Sequence, residues 1–395
     1  MTQFIDTLVG IFQSSGFARF GEPGGYLYAI MICVGCFLLY LAIVKEFEPL
    51  ILLPMAFGMI LANLPGSGVI HMQYFVGDGL EHPMWVEILN NGGLADMLYM
   101  GVKLGIYPPL IFLGIGTMTD FAPLISNPKS LLLGAAAQFG IFGTYMGARL
   151  LAATGLVDFT QKQSAAISII GGADGPTAIF VANVLHSQYL GAIMVAAYSY
   201  MALVPIVQPP VIRLCTTQKE RLIRMPYQKG SVSKTTKILF PIVVTMLAGL
   251  VAPASVALVG FLMFGNLLRE CGVLNALSET AQNVLANLIT IVLGLTVAGQ
   301  MTADQFVRPD TLLILALGLV AFVFDTAGGV LFAKLINLFL PEGRKLNPMI
   351  GAAGISAFPM SGRVVNKMGL EEDNQNFLLM YSISVNVSGQ IASVI

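Results

Sequence analysis

Residues 168–180 read Ser-Ile-Ile-Gly-Gly-Ala-Asp-Gly-Pro-Thr-Ala-Ile-Phe, which sets a carboxylate, Asp174, among glycines and a proline inside a long apolar run. Between 163 and 212 no other Asp, Glu, Lys or Arg occurs, and 238–268 and 280–303 contain none. Each run exceeds the roughly 20 apolar residues that a membrane-crossing helix needs. The whole chain has the same character. Of its 395 residues 56% are hydrophobic and 10% charged, with a mean hydropathy of +0.80; soluble domains carry charge on about a quarter of their residues. The runs are continuous in Leu, Ile, Val, Ala and Gly, without the polar–apolar alternation of an outer-membrane barrel. The expected fold is an all-α polytopic membrane protein of roughly 10–12 segments, some broken or re-entrant, with two inverted repeats around a central ion site.

Candidate spans lie near 26–44, 47–63, 98–119, 131–153, 164–186, 189–212, 238–252, 254–269, 283–301, 311–340 and 347–360, with a last one from 377 onward. Gly or Pro interrupts several of them, at Pro108-Pro109, Gly171-Gly172 with Gly175-Pro176, Pro205 with Pro209-Pro210, and Gly328-Gly329. Unwound backbone survives at membrane depth only where protein buries it or where it lines a cavity, so these breaks mark a candidate site. A faint repeat points the same way. Asp120, Asn127-Pro128, Gly134-Ala135-Ala136 and Gly147-Ala148-Arg149 are echoed by Asp325, Asn347-Pro348, Gly351-Ala352-Ala353 and Ser361-Gly362-Arg363.

The expected organisation is an interfacial N-terminal segment (1–25) and a membrane hairpin with an acidic external loop (26–96). A first repeat (97–212) and a basic cytoplasmic loop (213–237) follow, then scaffold helices (238–310) and a second repeat (311–395). Phe4, Ile5, Leu8, Val9, Ile11 and Phe12 fit an amphipathic interfacial helix, and no cleaved signal is expected. The loop 213–237 carries Arg213, Lys219, Arg221, Arg224, Lys229, Lys234 and Lys237 against Glu220 alone, which by the positive-inside tendency makes it cytoplasmic. Asp78, Glu81, Glu87 and Asp96 lie in a stretch without Lys or Arg, which suits the opposite side.

A net charge of −1 leaves no electrostatic footprint for nucleic acid. His71, His82 and His186 are too dispersed for a zinc site. Cys33 and Cys36 form a C-x-x-C within an apolar run and read as small buried packing residues.

A carboxylate within the bilayer costs several kcal/mol unless something pairs with it. Asp174 is therefore either a structural acid, protonated or Arg-paired, or a cation or proton site beside freed backbone carbonyls, the oxygen environment that hard cations prefer. Residues 347–363 offer neutral oxygens at Asn347, Ser356 and Ser361 and a cation at Arg363, though Ser and Gly in membrane helices commonly serve packing. The stretch 381–393 is polar for a terminal span; Asn386 and its serines suit a polar cavity better than lipid. On the residues alone a secondary transporter, either a Na⁺-coupled carboxylate carrier or a Na⁺/H⁺ antiporter, ranks first, and a non-catalytic membrane scaffold is a weaker reading.

Gly171-Gly172-Ala173-Asp174-Gly175-Pro176-Thr177-Ala178-Ile179-Phe180, residues 196–205 (Ala-Ala-Tyr-Ser-Tyr-Met-Ala-Leu-Val-Pro), Thr216-Thr217-Gln218-Lys219-Glu220-Arg221 and Asn374-Gln375-Asn376-Phe377-Leu378-Leu379-Met380 closely resemble the β-subunit of the biotin-dependent, sodium-pumping decarboxylases. That family acts on oxaloacetate, methylmalonyl-CoA, glutaconyl-CoA or malonate. The resemblance covers most of the chain from about residue 26.

It implies a multi-pass subunit of the bacterial inner membrane that decarboxylates carboxybiotin, consumes a proton and drives Na⁺ outward. The biotin would be carried by a partner and not attached to this chain. Implied partners are an α-subunit carboxyltransferase, a biotin carrier protein and a small single-span γ or δ subunit, with a homo-oligomer also allowed. By motif, Asp174 would be the central Na⁺ ligand and Tyr200 a proton donor. Asn347, Gly351, Ser356 and Arg363 would form a second polar cluster, in which Arg363 meets the carboxylate of carboxybiotin or balances Asp174. Asn386 and Ser393 match polar positions of the family's last helix. That helix runs on past Ser393 in the family whereas this sequence stops at Ile395, so a truncated final helix is expected.

Overall fold

The structure is a computed structural model. It describes residues 7, 10, 13, 15–46, 49–75, 83–172, 174–225, 232–302, 308–341, 343–355, 357 and 360–395, with backbone alone at 72, 199, 202 and 300. The proposed N-terminal amphipathic helix, Asp78, Glu81, Lys229 and Ser356 lie outside the described residues. All described elements are helical. Six helices are long and apolar enough to cross a membrane, or up to eight if each of two bent pairs is a single span. The chain is a multi-pass helical membrane protein.

The residues fall into two compact units, one of 1–106 with 288–313 and one of 107–287 with 314–395. In the first, α1 (Gly25–Val44) packs on α2 (Pro49–Ala62). A Cβ at Gly35 would sit 2.8 Å from Ile60, so the glycine is what lets the two backbones approach. Cys33 and Cys36 are exposed on α1 and not buried as expected; a thiol is apolar enough to face lipid. Asn63 ends α2 by donating to the carbonyls of Met59 (2.8 Å) and Met301 (2.7 Å). Buried Asp96, in the first turn of α3 (Leu94–Lys103), accepts from the His71 amide (2.7 Å) and the Gly93 amide (2.9 Å) and pairs with His71 Nδ1 at 2.7 Å. This gives part of the acidic segment a structural purpose.

The second unit begins with α4 (Tyr107–Met118), α5 (Ser130–Ala137), α6 (Phe139–Ala153), α7 (Gln161–Ser168) and α8 (Gly175–Val184). It continues through α9 (Leu190–Cys215), α10 (Lys234–Val251) and α11 (Val256–Cys271); α12 (Ala286–Val297) and α13 (Pro309–Leu338) each pass between the units in sequence, and α14 (Met360–Glu372) and α15 (Leu379–Val394) end it. Leu239, Ile242, Val243, Met246, Leu247 and Leu250 are exposed along one side of α10, the mark of a helix that faces lipid.

Most breaks fall where Gly and Pro predict them. Gly105, at φ +68°, separates α3 from α4, and Pro108 and Pro109 occupy the first turn of α4, where missing N–H groups leave nothing unbonded. Between α7 and α8 the chain tightens into a 3-10 turn, Ile169–Gly172. α9 bends by 69° between Leu190–Tyr198 and Leu203–Cys215; Pro205 has no N–H for the Met201 carbonyl four residues back.

Two expectations need correction. Gly328-Gly329 does not break α13, which is continuous from Pro309 to Leu338. The glycines serve close packing instead: a Cβ at Gly328 would lie 3.1 Å from Phe139, and one at Gly329 would strike the Gly351 backbone. The described part of 347–360 is not one continuous helix. Pro348–Gly354 is a 3-10 helix capped by Asn347, whose side chain accepts from Met349 N, and α14 begins only at Met360.

Candidate functional site

Asp174 is the extended residue (φ −124°, ψ 104°) between the 3-10 turn and α8, and it is 5% exposed. The Thr177 hydroxyl donates to its Oδ2 at 2.5 Å. No arginine or lysine reaches this carboxylate among the described residues. The Arg-paired structural reading therefore has no support here.

Three glycines fix what surrounds it. A Cβ at Gly175 would run into the ring of Tyr198, so that phenol packs directly against the residue after Asp174. A Cβ at Gly172 would lie 3.6 Å from both Gln138 Oε1 and Ser393 Cβ. At Gly171 it would lie 2.8 Å from the backbone of Gly140 and Ile141, which brings α6 against the turn. Ser393 thus borders the 3-10 turn that precedes Asp174.

The second polar cluster forms around the 3-10 helix Pro348–Gly354. Asn386 donates to the carbonyls of Ala353 (2.9 Å) and Ile355 (2.7 Å). Gln208 donates to the Ala352 carbonyl at 2.7 Å, and Ser361 to the same carbonyl at 3.3 Å. Gly351 lies backbone to backbone against Gly329.

Gln138 joins the two clusters. Its Nε2 lies 3.2 Å from the Gly354 carbonyl and 3.3 Å from those of Gly134 and Gly389, while Oε1 borders Gly172. Several buried oxygens in the second unit have no hydrogen-bond partner among the described residues: Gln138 Oε1, Gln208 Oε1, Asn386 Oδ1, Gln390 Oε1, Asp325 Oδ2 and the hydroxyl of Tyr198. Unpaired buried polar atoms are costly and rare in native proteins. Bilayer-depth acceptors of this kind suit a hydrated or cation-conducting interior.

The remaining sequence candidates sit elsewhere. Tyr200 donates to the Leu315 carbonyl and packs its ring on Gly318. Asn347 is buried on the side of the basic loop, donating to the carbonyls of Arg221 (2.8 Å) and Ile223 (3.0 Å). Arg363 is exposed in the first turn of α14. Sequence reasoning did not single out Tyr198, Gln138 or Gln208, and it named Asp325 only as part of the repeat. Each is a polar side chain in an apolar run, the signal that drew attention to Asp174.

The basic loop is tied down by a ladder of ion pairs. Arg213, Arg221 and Arg224 meet the consecutive acids Glu371 (3.5 Å), Glu372 (2.6 Å) and Asp373 (2.5 Å). Arg221 also donates to the Thr216 carbonyl at 2.9 Å, and its own carbonyl accepts from Asn347 and Asn376. The Arg224 guanidinium, with the Gln375 amide, holds the Asp373 carboxyl below the usual range.

Comparison with known proteins follows this geometry. The family model described as the Na⁺-transporting oxaloacetate decarboxylase beta subunit matches residues 28–395. The methylmalonyl-CoA decarboxylase subunit beta of Propionigenium modestum is 50% identical, over 99% of this chain and 97% of its own length. The oxaloacetate decarboxylase beta chain of Klebsiella pneumoniae is 46% identical over 99% and 97%, and the glutaconyl-CoA decarboxylase subunit beta of Acidaminococcus fermentans 47% over 100% and 97%. This chain belongs to the family of the Na⁺-transporting decarboxylase beta subunits.

Proposed function

We propose that the protein is the inner-membrane subunit that decarboxylates carboxybiotin and couples the reaction to outward Na⁺ movement. The observation that carries this reading is Asp174: a buried carboxylate at a helix break, which no cationic side chain reaches among the described residues, with buried oxygens nearby that find no partner among them. An acid so placed needs a proton or a metal cation to offset its burial, and exchange between the two is the elementary event of a coupled pump.

Asp174 would hold Na⁺ as cargo, with neutral oxygens of the Gln138, Asn386 and Ser393 region along the path. Biotin, carried by a partner, would supply the ureido group that keeps the electron pair when the carboxyl leaves as CO₂. This chain's residues must then deliver a proton to that group. Tyr198, packed against Gly175, and Tyr200, two residues further along the same helix, are the phenols that could supply it. Arg363, exposed at the start of α14, has the charge to receive the carboxylate. Asn347 and Gly351 would shape the second cluster through backbone contacts.

Alternating access would come from the two expected repeats, 97–212 and 311–395, rearranging about the two 3-10 segments. Moving one charge outward against ~100 mV requires about 2.3 kcal/mol, and irreversible loss of CO₂ is a suitable source. The carboxyltransferase, biotin carrier and small single-span subunit are the partners this reading requires. The named relatives act on different acyl substrates at similar identity. The acyl group is accordingly assigned to a partner and not to this chain.

The decisive experiment reconstitutes the whole complex in liposomes and follows Na⁺ uptake and CO₂ release together. With Asp174→Asn both should disappear. Na⁺ movement by the unaltered chain without any CO₂ would overturn the reading in favour of a secondary carrier.

A further inference from the structure

The last turns of α13 carry Leu331, Leu335 and Leu338 on one side, 54%, 48% and 79% exposed. They form one wall of a cavity of about 730 Å³ in the second unit, and Lys219, Lys334 and Lys345 contribute its charged lining. Glu220 is the one acid among the described residues that line it. We propose that this cavity holds one anionic phospholipid, its phosphate among the three lysines and an acyl chain along the leucines.

The charged wall is fixed in place. Lys334 Nζ lies 3.1 Å from both Glu220 Oε1 and the Cys215 carbonyl, which anchors its ammonium at the cavity. Lys219 stands beside Glu220 on the short helix Gln218–Arg221, held by the capping box of Thr217 and Glu220. Asn337 clamps the turn leading to Lys345: its Nδ2 donates to the Leu346 carbonyl and its Oδ1 accepts from the Leu346 amide, both at 2.7 Å.

Charge selects the ligand's sign, and the leucines select its kind. Among the described lining residues three ammoniums stand against one carboxylate, a balance that suits a phosphodiester. A water-soluble phosphate would use the lysines and leave the leucine wall unmatched. That wall ends a membrane span, at the depth where acyl chains begin, and the adjoining basic loop puts it on the cytoplasmic side. Basic recesses at this level recognise anionic headgroups.

The test uses the full chain purified in neutral detergent, with phosphatidylglycerol or phosphatidylcholine of matched acyl chains added and bound lipid counted by native mass spectrometry. One phosphatidylglycerol should be retained at about a tenfold lower concentration than phosphatidylcholine, since each lysine near an anionic headgroup contributes roughly a fivefold factor. Lys219→Gln with Lys345→Gln should release that one lipid, whereas Lys129→Gln with Lys162→Gln should keep it. Leu335→Asn leaves every lysine intact and should also weaken retention. Equal retention of the zwitterionic lipid, or a lysine double variant that binds as before, overturns the proposal. So does displacement by acyl-free glycerophosphate at equal concentration. The readout involves neither Na⁺ nor CO₂, so it stands or falls apart from the pump reading.

Discussion

Gly140 donates its backbone N–H to Oδ1 of Asp325 at 2.5 Å, and the second carboxylate oxygen of Asp325 is buried without a partner among the described residues. The contact needs a glycine, because a Cβ at residue 140 would overlap the carboxyl group and lie 2.7 Å from the Ala321 carbonyl. Gly140 also abuts Gly171, three residues before Asp174, so one stretch of α6 contacts Asp325 and the turn that precedes Asp174. Gly140→Ala should destabilise the protein by about 1–3 kcal/mol through overpacking. Thermal unfolding of the purified chain in detergent checks this, with Gly143→Ala, which meets nothing within 4 Å, as the neutral comparison.

The two phenols should separate in function. Tyr198 packs against Gly175 with its hydroxyl unpaired, whereas Tyr200 gives its proton to the Leu315 carbonyl. If Tyr198 is the proton donor, Tyr198→Phe should slow CO₂ release by roughly 10²-fold or more. Tyr200→Phe would then cost far less turnover and lower stability by about 1 kcal/mol through the lost hydrogen bond. The reverse order in a reconstituted turnover assay returns the role to Tyr200.

Arg221 should be the most sensitive residue of the basic loop. Its guanidinium bonds Glu372 and the Thr216 carbonyl while its own carbonyl holds Asn347 and Asn376. Arg221→Ala should lower stability by roughly 1.5–3 kcal/mol, the range for hydrogen bonds to charged groups. Limited proteolysis should show faster cutting in the loop 213–237.

Acid should loosen the same region. For Glu220, burial raises the carboxyl's affinity for protons, but hydrogen bonds from Thr217 and Lys334 together outweigh it and leave the group below its ordinary 4.5. Asp373, bonded by Arg224, lies below its ordinary 3.8. Both groups hold fewer protons folded than unfolded, so they stabilise the loop above those values, and the contribution fades as pH falls through the lowered ones. Proteolysis of the loop followed downward from pH 5 should accelerate near pH 4 and below, and Arg224→Ala should flatten the response.

Gln138 gives the remaining test. Gln138→Ala removes an amide that reaches Gly354 and Gly389 and empties the space beside Gly172. The carbonyls it serves would be left buried, at about 1–3 kcal/mol, and the Na⁺ concentration for half-maximal turnover should rise.

Much of this was legible in the sequence because the bilayer makes few compromises. Uncharged runs became helices, and Gly171-Gly172 and Gly175-Pro176 broke the chain around Asp174 as the residues imply. Ser393 and Asn386 both border the broken segments. What the residues did not reveal depends on partners distant in the chain. Gly328-Gly329 looks like a break but is a packing surface for Phe139 and Gly351, and nothing local distinguishes the two uses. Asn347 reads as an ion ligand but caps a 3-10 helix and receives the loop at Arg221, more than a hundred residues earlier. Tyr198 and Tyr200 are two residues apart; only the fold shows which one touches the Asp174 segment.

Where Gly329 meets Gly351, and Gly354 meets Gly389, main chain lies on main chain with no side chain between. Interlocked knobs resist sliding because rotamers must change before one surface can pass another. A bare seam lacks that friction, so neighbouring segments along it can shear by exchanging carbonyl partners while every side chain keeps its shape.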